Sequence, residues 1–171
     1  LSKLDDSPGY VRDFLSEKGI LLVVEKHLQS TYLDGAAMLL ESGNPVIGLT
    51  LRHDRLDNFW FVLMHELGHV FLYLFESLDM YFFDEEGGSA VDDIEREADY
   101  FALNTLIPEE KWNLCMSRFS NTKEAITTDS TNLDIHPAIL AGRIRKEANN
   151  YTILNDLVGQ NCVRRLFGES Q

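Results

Sequence analysis

The chain of 171 residues has the length of a single domain with one hydrophobic core of ordinary size. It contains 28 acidic residues and 15 lysines and arginines, a formal net charge of −13, which argues against binding of this segment to a nucleic-acid backbone. The charge favours a basic peptide or protein as partner, although it could equally serve only solubility. Cys115 and Cys162 lack Cys-x-x-Cys spacing, and residues 1–11 are too polar for a signal peptide, so we expect a cytoplasmic protein.

The N-terminal residues predict one helix followed by three strands. Ser7 and Pro8 have the preferences of the N-cap and first position of a helix, and Gly19 is expected to end it. Runs of apolar residues follow, and a Ser-Gly-Asn turn at residues 42–44 joins the last two of them. We expect a small antiparallel sheet with an edge to which a peptide strand could add by backbone hydrogen bonds. The strands are predicted at residues 20–24, 35–40 and 46–51.

Residues 59–75 read FWFVLMHELGHVFLYLF, an apolar run with a polar cluster at its centre. On a helix, His65 and His69 lie one turn apart on the same face, so both imidazoles can reach one cation. Glu66 lies about 100° around the helix, where its carboxylate can take a proton from a metal-activated water without being a ligand. This is the His-Glu-x-x-His pattern of the zincins, and it requires a third metal ligand elsewhere.

Residues 90–106 predict a second helix, on which the third ligand can be sought. On the helical wheel Glu95 lies with small and apolar residues, whereas Glu97 lies on the opposite, polar side. A carboxylate on an apolar stripe is costly without a positive or hydrogen-bonding partner, and a zinc ion on the two histidines would be that partner. Asp99, one turn beyond Glu95, could accept the second N–H of a ligating histidine and fix its tautomer. Two histidines, one glutamate and an open fourth position are typical of catalytic zinc.

Other interpretations of these helices are open. The central run is shorter than the roughly 20 residues of a membrane span and has ionisable groups at its centre, which disfavours insertion. His65 and His69 could be hydrogen-bonded core residues, with Glu95 and Asp99 on a solvated acidic face. The agreement between the two helices favours a metal site over these alternatives. Further helix starts are predicted at Pro108, near Thr122 and at His136-Pro137, with a last amphipathic helix at residues 151–167.

Three stretches of the chain read PVIGLTLRHDRLDNFWFVLMHELGHV, EREADYFALNTLIP and IHPAILAGRIR. In this order they resemble the ImmA/IrrE family of metallopeptidase-like proteins, from about residue 35 to residue 146. The resemblance implies a bacterial or phage cytosolic protein, often with an N-terminal helix-turn-helix domain, which in several members acts on a repressor. Such a DNA-binding domain is not among these residues, so we expect the sequence to be a fragment or a processed chain.

The resemblance also implies roles for individual residues. His65, His69 and Glu95 match the zinc ligands of the family, and Glu66 matches its catalytic glutamate. Glu95 with Asp99 resembles the Glu-x-x-x-Asp element of the wider gluzincin group. His136 lies in the stretch that resembles the C-terminal motif of the family. A histidine near the zinc commonly stabilises the oxyanion in such hydrolysis, so His136 is a candidate catalytic residue, the alternative being a capping or packing role.

We therefore predict a single α+β zincin-like metallopeptidase domain over residues 1–171, with a small antiparallel sheet, a His-Glu-x-x-His helix, a glutamate-ligand helix and C-terminal helices. Its predicted function is zinc-dependent hydrolysis of peptide bonds in a protein or peptide substrate such as a repressor, without nucleic-acid or membrane binding. The alternatives are a non-cleaving binding or sensing module of a transcription regulator or antitoxin, and a zinc hydrolase acting on a small molecule.

Overall fold

The computed structural model describes residues 3–25, 32–74, 82–83 and 89–168, with the side chains of residues 82–83 and 89–92 left outside the description. Helices pack against a small mixed sheet, which confirms the predicted α+β fold class. None of the described helices is long and apolar enough to cross a membrane.

The first helix, α1 (Ser7–Glu17), begins and ends close to the predicted positions. Pro8 lies in its first turn, where the fixed φ angle of proline suits a helix and its missing N–H costs no hydrogen bond. Val11 and Leu15, one turn apart, are buried and attach the helix to the core. Gly19 has a φ of +79°, a left-handed conformation that glycine adopts without strain and that stops the helix.

Within the described residues, four strands form a sheet in the order β1-β3-β2-β4. They are β1 (Leu21–Val24), β2 (Gly35–Leu39), β3 (Pro45–Leu49) and β4 (Phe82–Phe83). β2 runs antiparallel to β3 and to β4, and the short turn between β2 and β3 makes them a hairpin. β1 runs parallel to β3, so the prediction of a wholly antiparallel sheet is wrong for this strand. Ten residues separate the end of β1 from the start of β2, more than a tight hairpin turn uses, so β1 can pair with the far edge of β3 in the parallel direction.

The central helix α2 (Leu56–His69) continues as a π-helical turn, Val70–Leu74, so helical structure follows the predicted run as far as it is described. The next long helix, α3 (Ser89–Leu106), packs closely along α2. Gly68 permits this approach, because a Cβ atom at that position would lie only 3.2 Å from the Cα atom of Ala98. Ala98 is itself completely buried, so small residues on both helices bring the two backbones together.

The chain after α3 forms short helices, namely α4 (Glu109–Trp112), α5 (Lys123–Leu133) and α6 (Pro137–Glu147). The Thr122 hydroxyl caps α5 by accepting a hydrogen bond from the Ala125 N–H. His136 caps α6 in the same way, with its Nδ1 accepting from the Ala138 N–H. The predicted helix starts near Thr122 and at His136-Pro137 are therefore confirmed, and α4 begins directly after Pro108.

The predicted helix at residues 151–167 is wrong, because these residues form turns and a single 3-10 segment, Arg164–Phe167. Left-handed φ angles interrupt the chain at Leu154, Gly159 and Asn161. The segment instead folds back on the start of α2, where the Leu56 N–H meets the carbonyl oxygens of Val158 and Gly159 at 3.1 and 3.0 Å. These backbone contacts hold the C-terminal residues against the loop that precedes α2.

The hydrophobic core lies between α1, the sheet and α2, and continues beneath α5 and α6. Its most deeply buried side chains include Ile47 and Leu49 of β3, Leu63 of α2, Ile126 of α5 and Leu140 of α6. Since α2 contributes residues along most of its length, the core fixes the orientation of this helix and hence the direction of its histidines.

Candidate metal centre and adjoining cavity

The two histidines of α2 and one glutamate of α3 meet at a single point. The Nε2 atoms of His65 and His69 lie 3.0 Å apart. Oε2 of Glu95 is 3.0 Å from Nε2 of His65, and its Oε1 is 3.4 Å from Nε2 of His69. Both histidines are buried, with 9% and 2% of their surface exposed. The three side chains predicted as metal ligands are thus brought together with one ligand atom each.

The neighbouring glutamate on α3 points elsewhere. Glu97 is exposed and accepts a hydrogen bond from the Tyr73 hydroxyl, away from the two histidines. Ala98, about one turn after Glu95 on the same side of α3, packs against Gly68 of α2 and has no exposed surface. The prediction that Glu95 rather than Glu97 faces α2 is therefore confirmed, and the physical reason is the close contact of small residues along that stripe.

Asp99 orients the first histidine. Its Oδ1 atom lies 3.0 Å from Nδ1 of His65, and its Oδ2 atom lies 2.8 Å from Nζ of Lys146. When Nδ1–H of His65 donates to Asp99, the Nε2 atom carries the lone pair that faces Glu95 and His69. This arrangement of a carboxylate behind a histidine is the usual support of a metal ligand.

The electrostatics of the cluster favour a positive charge at its centre. Burial alone lowers the pKa of His65, but hydrogen bonds with Asp99 and Glu95 outweigh burial and raise it to about 10. Burial alone raises the pKa of Glu95, but hydrogen bonds with His65 and His69 outweigh it and bring the value down to about 2. The surrounding carboxylates therefore stabilise a cation at the point where the three side chains meet.

The spacing of the three groups fits a zinc ion. Zinc lies about 2.0–2.1 Å from histidine nitrogens, so two ligand atoms of a tetrahedral site are roughly 3.3 Å apart. The separations of 3.0, 3.0 and 3.4 Å among His65, His69 and Glu95 are close to this value. Lone pairs on two nitrogens and a carboxylate repel one another at such distances unless a proton or a metal ion lies between them. The same donors would also accept Mn²⁺, Fe²⁺ or Co²⁺.

Glu66 lies beside the ligands with 2% of its surface exposed. The backbone of β2 passes directly against its carboxylate at Gly35. A Cβ atom at Gly35 would overlap Oε1 of Glu66 and lie 2.8 Å from Cγ1 of Val62, so only glycine fits at this point. The sequence analysis missed this role of Gly35, although a glycine within a strand pattern often marks a close backbone approach.

A cavity of about 670 Å³ opens beside the metal cluster. His65, Glu66, Glu95 and Asp99 are among its lining residues, together with further residues of α2 and α3, of α6 and of the loop before α2. The lining combines apolar side chains such as that of Phe61 with charged ones. The basic residues of this lining are Arg52, Arg55, Arg143 and Lys146. Sequence reasoning assigned none of them to the site, because helical spacing within α2 and α3 carries no information on where α6 packs.

The side chain of His136 contacts residues outside the metal cluster. Its Nδ1 accepts the Ala138 N–H at 3.0 Å, and its Nε2 lies 2.7 Å from the carboxylate of Asp5. It is not among the residues that line the cavity. The structure therefore gives His136 the capping role that the sequence analysis offered as the alternative, and its catalytic role stays a prediction without a contact to support it.

A His-Glu-x-x-His helix, a second helix that supplies a glutamate and a small sheet together define a zincin-like metallopeptidase fold. The family model for the peptidase M78 group, described as the IrrE N-terminal-like domain, matches residues 16–133, and the chain belongs to this family. This confirms the resemblance to the ImmA/IrrE proteins. The matched residues include all three candidate ligands, Glu66 and Asp99, but they end before α6. A search of curated proteins found no match to the chain.

Proposed function

We propose that this chain is a zinc-dependent metallopeptidase that hydrolyses peptide bonds. The observation that carries the proposal is the meeting of two imidazole nitrogens and one carboxylate within 3.0–3.4 Å at the edge of a cavity, on a helix that also carries Glu66. When bound there, zinc would polarise the scissile carbonyl and lower the pKa of a water molecule towards about 7.

Glu66 would act as the general base in this reaction. It follows His65 directly in α2 and lines the same cavity as His65 and Glu95. Its carboxylate would take a proton from the attacking water and return that proton to the nitrogen of the leaving amine. Contact with Gly35 holds the carboxylate in place, so the base cannot swing away from the cavity in that direction. Asp99 would keep His65 in the tautomer that presents Nε2.

The substrate we propose is a protein or peptide, such as a repressor, in the cytoplasm. Membership of a peptidase family supports a peptide substrate over a small molecule. The net charge of −13 supports a partner that is basic overall, because the field of the whole chain attracts positive surfaces.

Replacement of Glu66 tests the proposal directly. Glu66→Gln should keep the zinc content of the wild type and slow cleavage of a mixed peptide library about 10²–10⁴-fold, because only the proton acceptor is lost. Zinc would be measured by atomic absorption and cleavage by mass spectrometry. Glu97→Gln, an equally conservative change at an exposed position of α3, is the matched control and should cleave like the wild type.

Equal cleavage by Glu66→Gln and wild type would contradict the role of Glu66. A zinc-loaded wild type that cleaves nothing in the library would instead favour the non-cleaving binding or sensing module.

A further inference from the structure

Lys146 stands out among the basic residues that line the cavity. It lies near the end of α6, with its Nζ atom 2.8 Å from Oδ2 of Asp99 and 4.3 Å from the centre of the Phe61 ring. Its side chain is 29% exposed. Asp99 also contacts His65, so the carboxylate of Asp99 links the Lys146 ammonium group to a candidate metal ligand.

The three arginines of the lining are held by protein groups. Arg143 donates to the carbonyl oxygens of Leu103 and Ile107 and to the carboxylate of Glu147. Arg55 pairs with Asp57 at 2.9 Å, and Arg52 pairs with Asp34 through two of its nitrogens. An ammonium group has three N–H donors, whereas Asp99 is the one acceptor found for Lys146 among the described residues. Arg52 and Arg55 also have N–H groups without a described acceptor, but among the described residues Lys146 is the lining cation whose partner carboxylate contacts a candidate metal ligand.

The charge of the cavity favours an anionic group in the ligand. Four basic residues and five carboxylates line it, so a bound divalent cation would leave a net positive charge of one. Lys146, Glu66 and Glu95 line the same partly enclosed cavity, where charges are weakly screened. A neutral ligand that displaced water from this space would leave the ammonium group without its solvent partners.

We propose that Lys146 is a specificity-determining residue that binds a carboxylate on the substrate close to the scissile bond. This inference rests on the proposed peptidase function and names the substrate class that the site prefers. The carboxylate can belong to an aspartate or glutamate side chain or to the C-terminus of the peptide. Phe61 would pack against the apolar stem of the same substrate residue, since its ring lies directly beneath the ammonium group.

Binding of peptide hydroxamates to the zinc-loaded protein tests this inference without requiring cleavage. Three probes share one backbone. The neutral probe has a glutamine side chain and a C-terminal amide. The side-chain probe has a glutamate side chain and a C-terminal amide, and the terminal probe has a glutamine side chain and a free C-terminal carboxylate. In the wild type, one carboxylate probe should bind about tenfold more tightly than the neutral probe, as expected for one charge-assisted hydrogen bond. Calorimetry would give each Kd, and the better probe identifies the source of the carboxylate.

The preference should depend on the charge at Lys146. Lys146→Met should bind all three probes with similar Kd values, while Lys146→Arg should keep the preference. Lys111→Met, at an exposed position of α4 outside the cavity, is the matched control and should behave like the wild type. Zinc content of every variant would be measured, so that loss of metal is not mistaken for loss of the carboxylate contact.

Equal binding of the neutral and carboxylate probes to the wild type would overturn the role of Lys146 and leave the peptidase function standing. Retention of the preference by zinc-loaded Lys146→Met would do the same. Failure of every probe to bind the zinc-loaded wild type would overturn both proposals, because the metal would then not be reachable from the cavity.

Discussion

Two parts of the cavity lining, here named the metal end and the loop end, are built in different ways. At the metal end, every candidate ligand comes from regular positions on two adjacent helices, α2 and α3. At the loop end, the loop before α2 carries Arg52 and Arg55, and distant parts of the chain hold it. The Asp54 carboxylate accepts hydrogen bonds from the N–H groups of Val163 and Arg164, and the Arg164 guanidinium donates to the carbonyl oxygen of Leu51.

The side chains that can bind a metal are therefore positioned in a different way from those that shape the rest of the cavity. Helical spacing alone determines which side chains can share a cation, because residues one turn apart always face the same way. The rest of the cavity lining depends instead on long-range contacts between the loop, α6 and residues 158–164. Changes at the metal end should therefore alter metal binding with little effect on the stability of the loop. Changes at the loop end should lower stability with little effect on metal binding.

The largest effect is expected from loss of one ligand. Glu95→Gln removes the negative charge from the three candidate ligands and should weaken zinc binding by more than about 100-fold. This loss is larger than the loss expected when a residue behind a ligand is changed. Glu97→Gln should keep one equivalent of zinc, because this carboxylate points away from the histidines. Competition with a chelator of known affinity measures the zinc affinity of both variants. Equal zinc affinity of the two variants would exclude Glu95 as a ligand.

A smaller effect is expected from Asp99, which contacts a ligand without reaching the metal. Asp99→Asn should weaken zinc binding about 10–100-fold, because an amide neither fixes the His65 tautomer nor increases its basicity as a carboxylate does. The same chelator competition gives the value. A change below twofold would mean that Asp99 serves Lys146 rather than His65.

In the loop before α2, Asp54→Ala should lower the free energy of unfolding by about 1–3 kcal/mol, because it leaves two backbone N–H groups without their acceptor. Zinc affinity should remain that of the wild type. Urea denaturation of the zinc-loaded protein measures the change. Asp156 is an exposed aspartate in the C-terminal part of the chain, and Asp156→Ala is the control, which should leave the free energy of unfolding unchanged. A matching loss of zinc affinity in Asp54→Ala would show that the two ends are coupled.

The smallest effect is expected at His136. His136→Ala should lower the free energy of unfolding by about 1 kcal/mol through loss of the α6 cap, while His136→Asn, which can still cap, should lose less. Cleavage by the zinc-loaded variants should be unchanged, since His136 does not line the cavity. A fall of 10²-fold or more in cleavage by both variants would restore the catalytic role predicted from the sequence.

The metal end was predictable because its information is local. The spacing of His65 and His69 and the position of Glu95 on an apolar stripe need only the geometry of a helix, and the structure brings these side chains together. The α+β class and the starts of α5 and α6 were likewise predictable, since capping residues act within one turn.

The remaining features were not predictable because they depend on contacts between distant residues. The direction of β1 is determined by which edge of the hairpin it reaches. The predicted helix at residues 151–167 was wrong because its apolar residues pack as turns against the start of α2, and the periodicity of a helix does not reveal that alternative. Lys146 faces the site only because α6 packs beside α2.

The contact between Gly68 and Ala98 also bears on the distance between the histidines and the glutamate. A Cβ atom at Gly68 would lie 3.2 Å from the Ala98 Cα atom and 3.3 Å from Cδ1 of Phe101, so a side chain at this position would push α2 and α3 apart by a few tenths of an ångström. Because both histidines stand on α2 and Glu95 stands on α3, such a shift would draw the carboxylate away from the two nitrogens. The packing of two small residues therefore fixes the distance across which the two helices can share one ion.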